Sequence, residues 1–328
     1  MKQKTVSAEL PSEVRPGQSI ALLQELHILT RDGKLNQDSR RKLKQVYHLY
    51  QFIEKLLLEL PGQGAQATLA DHGAGKSYLG FIIYDLFFKK LAHGQLFGIE
   101  TRAELVEKSI ALAQKLQFER MVFLNLSVAE SARSAKLPES IDLVTALHAC
   151  DSATDDAIAF GLEKQAKFMV LVPCCQAEVA RTLSASKALS LSRTPLAELW
   201  RHPLHTREMG SQITNVLRCL YLEACGYQVT VTELVGWEHS LKNELIIARF
   251  TGQKKPAAEQ RLRTLLQEFG LQALAASRFA HLPTLLPDPL PEPVPESSPA
   301  QVRNQVSNNL LGDLPHEPLA GVSAVAEL

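Results

Sequence analysis

A glycine-rich segment at residues 71–79 carries the strongest chemical signal in the chain. It reads Asp-His-Gly-Ala-Gly-Lys-Ser-Tyr-Leu, and its acid ends a short apolar run, ATLAD. Glycines at a turn from strand to helix let the backbone approach a ligand closely, and the helix that follows offers free amide donors. We therefore expect a cofactor or a nucleotide at this turn.

Two common nucleotide-binding motifs fail at this segment. A phosphate-binding loop needs G-x-x-x-x-G-K-[ST], and Gly75-Lys76-Ser77 supplies its end, but Ala70 stands where the first glycine is required. The dinucleotide fingerprint G-x-G-x-x-G fails because Tyr78 stands at its third glycine. A nucleotide-dependent enzyme built on Gly75-Lys76-Ser77 stays open as an alternative.

Two acids favour a different ligand. Asp71 would repel a pyrophosphate, but it would attract the positively charged amino end of S-adenosylmethionine. Glu100 stands 25 residues beyond Gly75, at the end of the second predicted strand, where a carboxylate can accept both ribose hydroxyls. The pattern predicts binding of S-adenosylmethionine, with an unrelated α/β turn as the alternative.

Two cysteine clusters follow the fourth and fifth predicted strands. They read HACD at residues 148–151 and PCC at residues 173–175, and the ends of neighbouring strands open into one ligand-binding crevice. A zinc deaminase needs H-x-E with P-C-x-x-C, and a structural zinc site prefers C-x-x-C. Neither spacing occurs, so we expect no metal.

Two interpretations of these clusters stay open. Enzymes that make 5-methylcytosine in RNA place cysteines after the same two strands, which makes Cys150 or Cys174 a candidate nucleophile. Alternatively the cysteines are packing residues, and Asp151 or His148 orients or deprotonates the acceptor. Methyl transfer needs mainly positioning and desolvation, so we favour the second interpretation.

The elements that must position these residues alternate between strand and helix. Amphipathic stretches separate most of seven apolar runs, at 67–71, 95–100, 121–126, 141–147, 168–173, 227–234 and 244–250. This order predicts an α/β fold with a Rossmann-like, seven-stranded, mostly parallel sheet covered by helices on both faces. The last strand is expected to insert antiparallel. Residues 183–208 suggest an insertion loop that carries His202 and His205, and 256–279 suggest one or two closing helices.

A long helix precedes the sheet. An apolar stripe predicts a helix from Asn36 to Leu60, with Asp38 or Ser39 as its cap and a shorter helix before it from about Ser19 to Leu29. Four cations crowd the first turns of the long helix, where they oppose the helix dipole: Arg40, Arg41, Lys42 and Lys44. They form either a solvated face or a patch that contacts RNA or another substrate.

Composition indicates a globular body followed by a tail that differs from it in charge and proline content. The 328 residues carry 35 basic and 35 acidic side chains, and this balance argues against a chain dominated by nucleic-acid affinity. Residues 281–328 nevertheless hold six acids and one base, a charge of −5, which leaves +5 on the body. That segment also contains nine of the 17 prolines, which predicts a disordered tail, either passive or able to dock a partner.

The remaining expectations concern domains and location. We predict an N-terminal helical extension (1–62), a cofactor-binding domain (63–252), C-terminal helices (253–280) and the tail (281–328). No apolar stretch reaches the roughly 18 residues of a membrane span, and no secretory signal opens the chain. Five cysteines, two of them adjacent, make no disulfide framework, so we expect a cytoplasmic protein without a membrane segment.

Three motifs in this order resemble the class I S-adenosylmethionine-dependent methyltransferases. More specifically, the chain resembles the methyltransferase-like, ribosomal-RNA-adenine-dimethylase-domain-containing type, which carries D-x-G-x-G-K-x-Y-L, H-A-C-D-x-A-T-D and V-P-C-C. The matching residues are 71–79, 148–155 and 172–175, within a resemblance that spans about residues 40 to 250. Ser77 departs from the class, which commonly has a third glycine there.

The resemblance implies roles for individual residues. Asp71, Gly73 and Gly75 are expected at the methionine end of the cofactor and Glu100 at its ribose. The remaining cofactor contacts are expected from Leu126 and Ser127 at the adenine, and from His148. We expect an RNA or ribosome-associated acceptor. A cofactor-binding pseudoenzyme that acts as an interaction module and a protein methyltransferase are the alternatives.

Overall fold

One seven-stranded sheet forms the centre of the structure, a computed structural model that describes residues 11–147, 149, 151–173, 176–186, 195–234, 244–282 and 285. The strands are β1 (Thr68–His72), β2 (Gln95–Glu100), β3 (Met121–Asn125), β4 (Leu143–Leu147), β5 (Phe168–Val172), β6 (Tyr227–Glu233) and β7 (Glu244–Phe250). Their order is β3-β2-β1-β4-β5-β7-β6. The first five pair in parallel, and β7 inserts antiparallel between β5 and β6. The predicted fold class is confirmed.

Helices cover both faces of the sheet. They are α1 (Ile20–Glu25), α2 (Gln37–Leu58), α3 (Tyr78–Leu86), α4 (Ala103–Lys115), α5 (Val128–Arg133), α6 (Ala153–Glu163), α7 (Glu178–Ser186), α8 (Pro203–Ala224), α9 (Pro256–Glu268) and α10 (Leu274–Arg278). Side chains alternate along a strand, so Phe168 and Val170 face α1 to α4, while Met169 and Leu171 face the core that contains α6 to α10.

The start of α2 differs from its prediction. Neither Asp38 nor Ser39 is the N-cap; Asn36 is, and its side chain accepts the backbone N–H of Ser39 at 2.7 Å. Asn36 takes this place because the preceding chain turns back on itself, with Leu29 and Leu35 paired in an isolated bridge. Helix α1 ends at Glu25 and does not reach Leu29 as expected, because the backbone turns left-handed at His27, which has φ of +54°.

The segment predicted as an insertion loop is helical at both ends. Helix α7 extends to Ser186 and α8 begins at Pro203, while residues 187–194 lie outside the described residues. Proline suits the first helical position because its fixed φ is already helical and its missing N–H needs no partner there. His202 is therefore the N-cap of α8, with an extended backbone just before the helix, and His205 lies in the first turn, so the expectation of a loop was wrong for His205.

Several expectations lie beyond what the structure describes. The Pro-rich tail is outside the described residues from 286 onward, and the proposed domain boundaries stay predictions. Among the helices that are described, none is both long enough and apolar enough to cross a membrane.

Candidate active site

The strand order reverses between β1 and β4, and this reversal locates the site. In open α/β sheets, ligands bind beyond the carboxyl ends of the strands at such a switch point. Asp71 stands near the end of β1, Glu100 ends β2, and Leu126 and Ser127 follow β3. The fold therefore brings the described candidate cofactor residues to one edge of the sheet.

The glycine loop after β1 follows a left-handed backbone path. Gly73 and Gly75 have φ of +67° and +59°, a region that glycine enters without steric cost. Ser77, at the place of the third glycine, has φ of +51°, which costs a non-glycine residue about 1 kcal/mol. The N–H of Ala74 donates to the carbonyl of Ile99 at 3.0 Å and so ties the loop to β2.

Asp71 lies beneath this loop. Its side chain is buried at 2% relative exposure, and the hydroxyl of Thr145 in β4 donates to its Oδ1 at 2.9 Å. Burial raises the pKa of the Asp71 carboxyl to about 6, against the lowering effect of its hydrogen bonds. The geometry supports a role in holding the loop, and direct contact with a cofactor ammonium stays a prediction.

Glu100 connects the loop to the end of β2. Its Oε2 accepts the N–H of Gly75 at 2.8 Å, and its Oε1 accepts the backbone N–H of Arg102 at 3.1 Å and its Nε at 3.0 Å. Partial burial raises the pKa of this carboxyl, but the hydrogen bonds from Arg102 and Gly75 outweigh it and lower the pKa to about 2. The carboxylate is therefore charged and ready to accept hydrogen bonds.

The hydrogen-bonding pattern around Glu100 fits a nucleoside at this position. Ribose hydroxyls are donors that can take the place of the Arg102 guanidinium, whose side chain is 60% exposed and able to move away. The bond from Gly75 would persist, which keeps loop and acid together. The side chain of Asn125 supports the arrangement from β3 by donating to the backbone carbonyl of Glu100 at 3.0 Å.

The predicted adenine contacts follow β3. Leu126 is half-buried, and Ser127 is the N-cap of α5 in a capping box with Glu130. The Ser127 hydroxyl donates to Glu130 Oε2 at 2.6 Å, and the N–H of Ser127 donates to the same oxygen at 2.8 Å. The pattern S-x-x-E could have revealed this box. An adenine contact through the Ser127 hydroxyl would compete with it, so that role stays a prediction.

Asp151 has a structural task in the loop after β4. Its Oδ1 accepts the N–H groups of Ala177 and Glu178, both at 3.0 Å, and its Oδ2 pairs with Arg181 at 3.0 Å. Partial burial opposes ionisation, but these hydrogen bonds lower the pKa of Asp151 below its usual value. A carboxylate with a lowered pKa is a weak base. The contacts therefore favour positioning over proton abstraction, and a catalytic role stays a prediction.

The other polar residues of this segment also hold it in place. Thr154 donates from its hydroxyl to the carbonyl of Ala149 at 2.7 Å. Asp155 pairs with Arg218 of α8, a side chain only 1% exposed, at 2.6 Å. Arg218 also donates to the Asp151 carbonyl at 2.8 Å.

Arg218 is a residue that sequence reasoning missed. An arginine at a buried position of the amphipathic stretch 211–224 was the available signal. The candidates His148, Cys150 and Cys174 lie outside the described residues, so their predicted roles are unchanged.

Two findings concern the ligating and thiol side chains that the structure describes. No group of three or more His, Cys, Asp or Glu side chains is placed there to hold a metal ion. Burial raises the pKa of the Cys219 thiol to about 12 and that of Cys225 to about 11, so both thiols stay protonated at neutral pH.

One family model matches the part of the chain that contains this site. Residues 41–182, from α2 into α7, match the family described as methyltransferase domain. No match was found among curated proteins.

Three solved structures illustrate the similarity in fold. TrmK of M. capricolum in complex with S-adenosylhomocysteine is 9% identical over 80% of this chain and 93% of its own, with a TM-score of 0.39. Magnesium protoporphyrin IX methyltransferase from Synechocystis PCC 6803 is 13% identical over 70% and 94%, with a TM-score of 0.40. Fibrillarin from Methanococcus jannaschii is 10% identical over 58% and 68%, with a TM-score of 0.36. Likenesses this distant carry no information on the acceptor.

The matched segment contains the glycine loop, Glu100 and the motif after β4, so the chain carries a methyltransferase domain. The protein is an S-adenosylmethionine-dependent methyltransferase, and the predicted type of enzyme and its predicted cofactor are confirmed. When bound, the cofactor supplies a methyl group on a sulfonium sulfur. Transfer to a nucleophile is an in-line displacement, which needs positioning and exclusion of water more than a strong base. Gly75 and Glu100 would position the cofactor, and Asp151 holds the backbone at the start of α7 through the N–H groups of Ala177 and Glu178.

Proposed function

We propose that this methyltransferase modifies RNA. The observation that carries the proposal is a cluster of four exposed cations at the start of α2, formed by Arg40, Arg41, Lys42 and Lys44, which we call the α2 patch. Clustered lysines and arginines neutralise phosphates and release counterions, which favours a polyanionic acceptor over a small neutral metabolite. The charge of +5 on the body of the chain acts in the same direction.

One hydrogen bond connects the start of α2 with the segment that flanks the cofactor loop. Ser39, next to Arg40, donates from its hydroxyl to the carbonyl of His27 at 3.4 Å. His27 and Lys76 line the same groove, and Lys76 stands between Gly75 and Ser77 in the glycine loop. This shared neighbour, His27, supports the proposal that an RNA held by the patch reaches towards the cofactor loop.

Existing ion pairs do not block the patch. Arg40 pairs with Glu13 at 3.1 Å and Arg41 with Asp38 at 3.9 Å, and both arginine side chains are more than half exposed, at 57% and 61%. Exposed pairs of this kind contribute only about 0–1 kcal/mol. A phosphate can displace them at small cost.

The finer resemblance supports a ribosomal RNA acceptor. The motifs at 71–79, 148–155 and 172–175 are similar to the ribosomal-RNA-adenine-dimethylase-domain-containing type. We propose the cofactor contacts on the same basis: Asp71, Gly73, Gly75, Glu100, Leu126, Ser127 and His148.

Labelling identifies the acceptor directly. The purified protein is incubated with methyl-labelled donor and cell extract, and the product is divided between nuclease and protease treatment. We expect nuclease alone to release the label, and we expect Glu100→Ala to reduce labelling when the donor is limiting. Release by protease would mean a protein acceptor. No label with any macromolecule, despite cofactor binding, would overturn the RNA proposal in favour of a small-molecule acceptor or a pseudoenzyme.

A salt series then tests the patch. Replacing its four cations with glutamine should flatten the dependence of RNA binding on salt, by about 0.7 in slope for each phosphate that is no longer neutralised. Binding of S-adenosylhomocysteine should not change. Methylation of RNA by this variant at the wild-type rate across the series would make the patch a solvated helix face.

A further inference from the structure

We propose that a groove beside the glycine loop binds the phosphate backbone of single-stranded RNA. The groove has a volume of about 440 Å³ and lies between the N-terminal segment, the start of α3 and one face of α4. Leu26 and His27 form one wall, and Lys76 and Tyr78 form another. The inference rests on the RNA acceptor proposed above and names the surface that would hold it.

Three lysines give the groove its charge. Lys76 stands at the glycine loop, and Lys108 and Lys115 follow one another along the same face of α4. Seven residues of helix separate Lys108 from Lys115, which places their backbones about 10 Å apart along the axis. All three lysines are exposed, so their ammonium groups can reach a ligand in the groove. A row of cations at this spacing suits an extended polyanion.

The floor of the groove is apolar. Leu26 is buried, and Tyr78, Leu105 and Leu112 are half-buried, each with part of its surface open to the groove. Aromatic side chains beside a positively charged channel are the recurring platform for bases of single strands. The combination of lysines with Tyr78 favours a single strand over a free phosphate.

One ion pair crosses the groove and makes the inference testable. Lys115 Nζ lies 2.6 Å from Glu25 Oε1, and both side chains are substantially exposed, at 63% and 40%. Glu25 is the acid among the groove residues. A phosphate at Lys115 would therefore compete with the Glu25 carboxylate. The two members of this pair must have opposite effects on RNA binding.

The groove proposal is tested by measuring the binding of a labelled oligouridylate by fluorescence anisotropy at several salt concentrations. Lys115→Gln and Lys108→Gln should each weaken binding several-fold and reduce the salt slope by about 0.7, the value for one phosphate contact on a single strand. Glu25→Gln should strengthen binding, because it frees Lys115. Lys55→Gln and Lys254→Gln, which remove exposed lysines outside the groove, are matched controls and should leave binding unchanged.

The opposite signs separate recognition from structure. If Glu25→Gln and Lys115→Gln weakened binding equally, the ion pair would serve only to hold α1 against α4, and the groove proposal would be overturned. Salt slopes equal to those of the two controls would overturn it as well. Calorimetry with S-adenosylhomocysteine checks that each variant is folded. If no RNA is methylated, the proposed function fails; if RNA is methylated but the groove variants bind like the controls, only the groove proposal fails.

Discussion

Glu100 and Arg102 form a two-pronged ion pair at the carboxyl end of β2. Arg102 Nε lies 3.0 Å from Oε1, and its terminal nitrogen lies 3.2 Å from Oε2. The carboxylate expected to receive the ribose is therefore held by an exposed arginine from the adjacent turn. A ribose at Glu100 must compete with this arginine or displace it.

Glu100→Ala should weaken binding of S-adenosylhomocysteine about ten- to a hundredfold, because a hydrogen bond to a charged group contributes roughly 1.5–3 kcal/mol. Calorimetry gives the dissociation constant. Glu100→Gln is the matched control, since it keeps an acceptor for the N–H of Gly75 and should lose less affinity. Equal affinity in wild type and Glu100→Ala would remove Glu100 from the cofactor site.

Arg102→Ala should have the opposite effect and strengthen cofactor binding several-fold. The variant removes the side chain that occupies the carboxylate but keeps the bond from Gly75. Arg102→Lys should fall between the alanine variant and wild type, because a lysine competes through one point charge without the planar fork. The same titrations measure all three proteins, and weaker binding by Arg102→Ala would show that the guanidinium contacts the ligand itself.

Asp71→Asn should stabilise the fold at neutral pH while it weakens cofactor binding. Burial raises the pKa of Asp71 from 3.8 to about 6, so the folded protein holds a charged carboxylate above that pH only at a cost in stability. The advantage of the variant should be at most about 3 kcal/mol at neutral pH and should disappear as pH falls from about 6 to 4. Urea denaturation over this range measures it, and a pH-independent difference would contradict the assignment.

His72 should make the folding stability depend on pH in the opposite direction. Burial lowers its pKa from 6.5 to about 4, and neither ring nitrogen has a hydrogen-bond partner among the described residues. The stability that depends on neutral His72 is present above about pH 6.5 and is lost as pH falls towards 4, by at most about 3 kcal/mol. His72→Leu should therefore resist acid better than wild type. Parallel acid denaturation curves for the two proteins would contradict this prediction.

Asp71 and His72 are adjacent, and their contributions oppose each other over the same pH range. In the wild-type protein the two pH dependences of the free energy of unfolding largely cancel, so each becomes visible only in the single variants. A buried polar residue that serves a binding site commonly costs stability.

Local patterns were enough to find the strands and the glycine turn. All seven predicted strands are present, because a buried strand needs consecutive apolar residues and a half-exposed strand such as β6 needs alternating ones, and both patterns lie in neighbouring positions. The candidates Gly73, Gly75 and Glu100 were predicted in the same way, since a turn and a strand end are defined within a few residues. The helix boundaries were less accurate, because Asn36 competes as a cap with Asp38 and Ser39.

Only the tertiary structure decided which partners the polar residues have. Asp151 caps a helix that begins 27 residues later, and Asp155 pairs with Arg218 across 63 residues. Such pairs depend on which helices pack against the sheet, and spacing along the chain contains no information on that. Asp151 is an example: its sequence neighbours predict a catalytic role, which stays a prediction, and only the packing of α7 shows that its carboxylate accepts two N–H groups at the start of that helix.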